Sequence, residues 1–218
     1  LTVDYQKRCS LCNSPTVHQA AANMGHRCFF FPQCSGQVGL FGKPKSVVFL
    51  DFETTGLDIG IDEIIEVGAL KIDTNGMETV FQKMVKPVKP IPPAITQITG
   101  ISNEMVAEAS PLTSIINDLK LFIGSASIVA HNADFDMVWL VSSYIKHQIE
   151  IGQNTVVCTL NWAKALKEAR CSLGALTKKY GIGHQNAHRA LADAVATKEI
   201  YFIFSSSRRS EQNQVWAG

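Results

Sequence analysis

The chain has 218 residues, of which 46% are hydrophobic, and this is enough to bury a full core in one sizeable domain with a small appendage. The composition is not that of a disordered or low-complexity protein. The longest apolar runs are far shorter than the roughly 18 to 20 residues that a membrane-spanning helix needs. The polar start lacks the apolar region of a secretory signal, so we expect a cytoplasmic protein without membrane association.

The cysteines are unevenly distributed along the chain. Four of the six occur in the first 34 residues as C-x2-C, fifteen residues, and C-x5-C, namely Cys9, Cys12, Cys28 and Cys34. Because the cytosol keeps thiols reduced, we interpret them as metal ligands and not as a disulfide framework. Two close pairs separated by a short loop predict a tetrahedral structural Zn²⁺ site, although His18 or His26 could replace one cysteine.

Charge and glycine content divide the chain into parts. Residues 1–45 hold five basic and one acidic side chain, whereas the rest holds fifteen basic and eighteen acidic ones. Four thiolates on one Zn²⁺ would lower the charge of the front part to about +2, so the basic bias gives only modest support for nucleic-acid binding. A glycine-rich break predicts a module over residues 1–42, a main domain over 46–205 and a polar tail over 206–218.

The main domain shows three strand patterns and then alternating helix and strand patterns. Apolar runs rich in β-forming residues predict strands at 47–52, 64–72, 80–85, 128–130 and 156–159. Helices are predicted at 111–123, 135–146, 162–168, 173–180 and 189–204, with Ser110 as the N-cap and Pro111 as the first residue of the first one. The prolines between 87 and 93 predict an extended connection. This order is typical of an α/β or mixed α+β layer fold.

Two carboxylates lie near the end of the first predicted strand. Asp51 and Glu53 are two residues apart, and on a strand this spacing places both side chains on one face. Buried carboxylates that face each other repel and are costly to desolvate, so they indicate a bound cation. Oxygen ligands of this kind suit Mg²⁺ or Mn²⁺. The alternative is that both residues only cap the end of the strand.

Two later segments carry similar residues. Asp136 ends the segment HNADFD directly after a predicted strand, and His188 precedes Asp193 by five residues at the front of the last predicted helix. A histidine there can approach a substrate that Asp193 helps to anchor. Taken singly, Asp136 is also explained as an acid in the first turn of a helix, and Asp193 as a solvated helix residue.

Together the three segments resemble the three motifs of the DEDDh family of 3′-5′ exonucleases, which includes the proofreading epsilon subunit of bacterial DNA polymerase III, ribonuclease T and oligoribonuclease. The resemblance covers residues 47–204. It implies a ribonuclease H-like α/β fold, in which helices flank a five-stranded mixed sheet behind the small zinc-ribbon module. It also implies two Mg²⁺ or Mn²⁺ ions held by Asp51, Glu53, Asp136 and Asp193.

Details of the motifs refine the assignment. The H-x4-D spacing of His188 and Asp193 marks the histidine branch of the family. In the pattern HNAxFD the metal ligand follows the phenylalanine, which selects Asp136 over Asp134. We expect Asp51 to bridge both ions, with Asp136 supporting one of them through water. We expect Glu53 and Asp193 to complete the coordination of the other ion, and His188 to act as the general base.

The same resemblance implies a pocket for the 3′-terminal nucleotide. Its expected residues are Thr54, Thr55, Leu57, Thr99 and Phe135. Leu57 would wedge against the last base, whereas Thr99 replaces a histidine of the proofreading subunit. For Leu57 and Phe135, ordinary core packing is the alternative.

The cysteine module resembles the small C4 zinc fingers of bacterial topoisomerase I, which bind single-stranded DNA. This implies one structural Zn²⁺ and a grip on nucleic acid, with a protein-docking surface as the alternative. The sequence thus predicts a 3′-5′ exonuclease that releases 5′-nucleotides from DNA, preferably single-stranded, in repair, proofreading or degradation. RNA trimming and an inactive nucleic-acid-binding module are the alternatives, and a polymerase or other protein partner is left open.

Overall fold

The computed structural model describes residues 46–206 with their side chains. It also gives the backbone of residues 207–215 and of three short strands, β1 (Thr2–Arg8), β2 (Pro15–His18) and β3 (Arg27–Cys28). These three strands form an antiparallel sheet. The side chains of the four cysteines in the predicted zinc module lie outside the described residues, so the zinc site stays a prediction.

A five-stranded mixed sheet forms the centre of the main domain. Its strands are β4 (Val47–Thr54), β5 (Ile64–Ile72), β6 (Glu78–Met84), β7 (Ser127–Ala130) and β8 (Val156–Cys158). They lie in the order β6-β5-β4-β7-β8, with antiparallel pairing from β6 to β4 and parallel pairing from β4 to β8. The five predicted strands and the mixed sheet are confirmed.

Helices cover both faces of this sheet. They are α1 (Pro93–Thr99), α2 (Asn103–Val106), α3 (Leu112–Ile123), α4 (Ala133–Lys146), α5 (Thr159–Ala165), α6 (Leu173–Tyr180) and α7 (Ala190–Val215). Helices α3 and α4 pack on the face to which Val48, Leu50 and Phe52 of β4 point. Helices α5 and α7 pack on the opposite face, against Phe49. Within the described ranges, no helix is both long enough and apolar enough to cross a membrane.

The expected extended connection after β6 was wrong in its second half. Pro92 is extended, but Pro93 begins helix α1. Proline fits the first helical position because its fixed φ is helical and its missing N–H would have no partner there. Gly100 ends α1 in the left-handed region with φ 70°, a conformation that glycine adopts without steric cost. In this segment Pro92 is therefore extended, as predicted, whereas Pro93 is the first residue of a helix.

The start and the end of two predicted helices also differ from expectation. Helix α3 begins at Leu112, one residue later than predicted, and Pro111 is its N-cap residue. Ser110 instead forms a parallel bridge with Val85. The backbone of α7 continues to Val215, so residues 206–215 of the segment predicted as a polar tail belong to this helix. The bounds of the three predicted domains stay a prediction.

Candidate active site

Strand β4 presents two acids to the face of the sheet that α7 covers. Because side chains alternate along a strand, Asp51 and Glu53 point to the same side as the buried Phe49, which fits their predicted shared face. On β5, Gly68 lies directly opposite Asp51, and Glu66 lies directly opposite Glu53. Both acids are half-buried. Both acids therefore face the first turns of α7.

Helix α7 brings a third acid. One carboxylate oxygen from each of Asp51, Glu53 and Asp193 lies within 4.8 Å of the other two. We call these three residues the acid cluster. Carboxylate oxygens grouped in this way are ligands that Mg²⁺ and Mn²⁺ prefer. The donor set thus fits the metal that the sequence predicts.

Asp136 adds a fourth carboxylate from the first turn of α4. Asn132, in the left-handed region with φ 63°, turns the chain from β7 into that helix. Asp136 is buried, and its Oδ1 accepts a hydrogen bond from the backbone N–H of Phe52 at 3.1 Å. This bond holds the carboxylate beside β4, between the positions of Asp51 and Glu53 along the strand.

The acids make one another's ionisation unfavourable. Burial, followed by the charges of Asp136 and Asp193, raises the pKa of Asp51 well above its usual value. Burial, followed by the charges of Asp193 and Glu66, raises the pKa of Glu53 to about 8. Burial also raises the pKa of Asp136. A divalent cation would remove this repulsion, so the electrostatics of the site favour cation binding.

His188 precedes α7 by two residues, and its side chain is exposed. Its backbone has φ 62°, which lies in the left-handed region. This conformation is unfavourable for a residue with a Cβ, and such residues concentrate at functional sites. The ring therefore stands at the surface, where a substrate can meet it.

A second histidine contacts the acid cluster without having been predicted. The Nε2 atom of His184 lies 2.6 Å from Oδ1 of Asp193, and the side chain of His184 is only 8% exposed. His184 lies in an irregular loop, nine residues before Asp193. No periodic pattern in the sequence connects residues at that separation across a loop, so no signal pointed to this contact.

The threonines predicted for the nucleotide pocket hold the loop after β4. The hydroxyl of Thr54 donates to the carbonyl oxygen of Gly56 at 2.6 Å, and that of Thr55 donates to Oδ1 of Asp62 at 3.1 Å. Both threonines are buried. Leu57 follows in the same loop and is 83% exposed, which excludes core packing for this residue. The loop thus fixes an apolar side chain at the surface next to β4.

The other two predicted pocket residues are less accessible. Phe135, in the first turn of α4, is partly buried against the core. Thr99 is 5% exposed, and its hydroxyl donates to the carbonyl oxygen of Ile95 and accepts from the N–H of Ile101. Ile98 is the more exposed neighbour, at 56%. Substrate contact through Thr99 stays a prediction.

The family is decided by the sequence over the main domain. Residues 48–201 match the family model described as Exonuclease, RNase_T. The chain belongs to this exonuclease family. The matched residues include the acid cluster, Asp136 and His188, so the family match and the geometry point to the same part of the molecule.

Relatives of this exonuclease-family chain include much longer proteins. It is 34% identical over 164 residues to the PolC-type DNA polymerase III of Streptococcus thermophilus, covering 74% of this chain and 11% of that protein. It is 37% identical over 166 residues to the PolC-type DNA polymerase III of Thermotoga maritima, covering 75% and 12%. The chain thus spans about one ninth of the length of these relatives.

Solved structures show the same fold. Escherichia coli exonuclease I in complex with a dT13 oligonucleotide superposes with a TM-score of 0.67 at 20% identity, covering 79% of this chain and 43% of that one. Exonuclease X in complex with 5′-overhanging duplex DNA superposes with a TM-score of 0.56 at 25% identity, covering 74% and 91%. The ribonuclease H-like exonuclease fold expected from the sequence is confirmed.

Proposed function

We propose that this chain is a metal-dependent 3′-5′ exonuclease that hydrolyses terminal phosphodiester bonds of DNA and releases 5′-nucleotides. The observation that carries the proposal is the convergence of the acid cluster, Asp51, Glu53 and Asp193, within 4.8 Å beside the buried Asp136. Membership of the exonuclease family supports the class of reaction.

The four acids divide into two groups by position. Asp51, Glu53 and Asp193 would hold one divalent cation, Mg²⁺ or Mn²⁺. Asp136 would support a second cation that shares Asp51 with the first. When bound, the cations neutralise the phosphate and stabilise the attacking and leaving oxygens of an in-line displacement. Asp136 is suited to its role because the Phe52 N–H keeps one of its oxygens in a defined place.

His188 acts as the general base in this proposal. It removes a proton from the attacking water, whose oxygen forms a bond to the phosphorus of the terminal nucleotide. The bond from that phosphorus to the 3′ oxygen of the penultimate nucleotide breaks, and this oxygen takes up a proton. The products are a 5′-nucleotide and a chain that ends in a new 3′ hydroxyl. The exposed, left-handed position of His188 just before α7 supports the role, because the imidazole stands outside the packed core yet next to the helix of Asp193.

DNA is the proposed substrate. The PolC-type relatives are DNA polymerases by name, and the similar structures of exonuclease I and exonuclease X contain DNA. The exposed Leu57 supports a single-stranded 3′ end, because an exposed apolar side chain in the loop after β4 can pack against the face of an unpaired base. Thr54 and Thr55 would keep the Leu57 loop in place by their hydrogen bonds.

The biological setting follows from the same reasoning. Removal of nucleotides from a 3′ end serves repair, proofreading or degradation of DNA. The likeness to polymerase proteins favours a protein partner of that kind. Residues 1–42 would add a Zn²⁺-stabilised module, held by Cys9, Cys12, Cys28 and Cys34, that grips single-stranded DNA.

The proposal is tested with end-labelled oligonucleotides in Mg²⁺ or Mn²⁺. A 3′-5′ exonuclease shortens a 5′-labelled strand one nucleotide at a time and releases a labelled mononucleotide at once from a 3′-labelled strand. Comparison of single-stranded DNA, duplex DNA and RNA of one sequence tests the substrate. Faster cleavage of RNA would replace DNA by RNA as the substrate, and binding without cleavage would indicate an inactive nucleic-acid-binding module.

A further inference from the structure

Strand β5 carries two residues that do not fit an apolar strand, and both lie next to the acid cluster. Glu66 is directly opposite Glu53, and Gly68 is directly opposite Asp51 in the antiparallel register. Residues directly opposite each other share a face of the sheet. Glu66 and Gly68 therefore lie on the face covered by α7.

Gly68 allows the backbone of α7 to lie directly on the sheet. A Cβ at this position would lie 2.1 Å from the backbone nitrogen of Leu191 and 2.2 Å from the carbonyl carbon of Ala190. No backbone atom tolerates such a contact, so any side chain here would push the first turn of α7 away. The helix that carries Asp193 is close to Asp51 because residue 68 has no side chain.

Glu66 holds the same turn by hydrogen bonds. Its carboxylate is fully buried and accepts from Arg189 Nε at 3.0 Å, Arg189 Nη2 at 2.8 Å and the backbone N–H of Ala190 at 3.0 Å. Gln82 donates a fourth bond at 3.1 Å. Burial alone would raise the pKa of Glu66, but these hydrogen bonds outweigh it and lower that pKa. Glu66 is therefore a charged, fully bonded group at the beginning of α7.

We infer that Glu66 and Gly68 are positioning residues that seat the start of α7, and thereby place His188 and Asp193 against Asp51 and Glu53. This inference rests on the proposed function. Arg189 connects Glu66 to His188, because it directly follows His188 in the chain and donates two hydrogen bonds to the Glu66 carboxylate. We call this two-pronged contact the clamp. With Arg189 held, the backbone of the neighbouring His188, at φ 62°, is held as well.

The clamp has a second consequence for the acid cluster. Arg189 is close enough to Glu53 for the two charges to interact. While Glu66 takes both prongs of the guanidinium, Glu53 stays available to a cation. If Glu66 lost its charge, Arg189 would pair with Glu53 instead and would compete with the metal.

The two consequences predict different effects for single and double variants. Glu66→Gln should weaken Mn²⁺ binding by about 10- to 100-fold, the range found when groups that orient metal ligands are changed. In Glu66→Gln combined with Arg189→Gln the competing cation is removed, while the close contact at Gly68 and the bond from the Ala190 N–H, which a glutamine oxygen can still accept, keep Asp193 in place. Mn²⁺ binding should therefore return close to the wild-type value. Turnover of single-stranded DNA should stay low in both variants, since His188 is no longer held, while KM should change little.

A matched control exists between the neighbouring strand β6 and the same helix. Glu78 of the sheet pairs with Lys198 of α7 at 3.0 Å, at the surface and away from the start of the helix. Glu78→Gln removes one ion pair between sheet and α7 and should leave Mn²⁺ affinity and turnover unchanged. Arg189→Lys serves as a milder variant, because a lysine keeps the charge but cannot make the two-pronged contact. It should bind Mn²⁺ normally and turn over more slowly.

The experiment is calorimetric titration of the full chain with Mn²⁺, paired with kcat and KM on single-stranded DNA. Weak Mn²⁺ binding in Glu66→Gln, its recovery in the double variant and slow turnover in Arg189→Lys would support the inference. Glu66→Gln behaving like Glu78→Gln, a double variant as weak as the single one, or wild-type turnover in Arg189→Lys would overturn it. If the wild-type chain does not degrade DNA, the proposed function fails, while the Mn²⁺ affinities still test the seat.

Discussion

The carboxylate of Asp136 accepts a hydrogen bond from the backbone N–H of Phe52, and this bond fastens the first turn of α4 to the strand that carries Asp51 and Glu53. This hydrogen bond needs only an acceptor oxygen at residue 136, whereas the proposed metal site needs the negative charge of the carboxylate. These two roles can be separated because asparagine keeps an acceptor oxygen but has no charge.

Asp136→Asn should therefore fold normally and lose activity. We expect the thermal midpoint to stay near the wild-type value and kcat to fall by about 100-fold or more, the usual loss when one electrostatic group of a catalytic centre is removed. Asp134→Asn, two residues away in the same helical turn, is the control and should retain activity. If Asp134→Asn were the inactive variant, the choice between the two acids would be wrong.

Leu57 provides a test of substrate binding with little risk to the fold. Leu57→Ala should raise KM for single-stranded DNA by roughly 10-fold, as expected when one apolar contact to a base is lost. Its stability should not change because the side chain is 83% exposed. Leu121→Ala is the control, since Leu121 is 78% exposed on α3. Equal KM values for the two variants would remove Leu57 from the substrate pocket.

The raised pKa of Glu53 predicts how stability depends on pH without divalent metal. This pKa is about 8 in the folded chain against an ordinary value of 4.5, so the folded state binds the proton more tightly than the unfolded state. The resulting stabilisation is complete below the lower value and is lost as pH rises through the higher one. His131, whose pKa burial lowers to about 4, acts in the opposite direction, but only at lower pH.

The thermal midpoint of the metal-depleted chain should accordingly fall between about pH 7 and pH 9, and Glu53→Gln should show a smaller fall. Added Mn²⁺ should also reduce the fall, because the cation stabilises the ionised carboxylates. Calorimetric scans of both proteins across this range give the answer. A thermal midpoint that stays constant or rises over this pH range in the wild-type chain would show that the pKa of Glu53 is not raised.

The zinc module is tested by metal content in the full chain. Elemental analysis should find about one Zn²⁺ per chain in the wild type and none in Cys9→Ser, as expected for a four-ligand structural site. Cys158→Ser is the control, because Cys158 lies in the main domain. Zinc retained in Cys9→Ser would refute the assignment. Weaker and less salt-dependent DNA binding in Cys9→Ser would support nucleic-acid contact, and unchanged binding would favour a docking role.

The parts of the fold that were predicted correctly are those in which local patterns decide the outcome. Strand β5 and helix α6 have the predicted bounds because their apolar spacing and flanking turn residues are local signals. Helix α1 was missed because Pro93 is compatible with both an extended chain and a first helical turn. Local sequence does not choose between the two, whereas packing does.

In the candidate site, too, the residues within local motifs were predicted, and a contact between distant residues was not. Asp51, Glu53 and Asp193 were found by their motifs, and the structure brings them together. The contact of Glu66 with Arg189 joins residues 123 positions apart, and no sequence spacing predicts such a pair. One signal was present, because a glutamate in the middle of the apolar strand β5 needs a partner in the folded chain.

We propose above that the four acids form a hydrolytic site with His188 as its general base. The most direct test is the single-turnover rate of His188→Ala on single-stranded DNA at saturating Mn²⁺, with Mn²⁺ and DNA affinities measured on the same protein. We predict wild-type affinities and a rate lower by about 100- to 10,000-fold, the contribution typical of a general base. A rate near that of the wild type, with both affinities intact, would contradict the account.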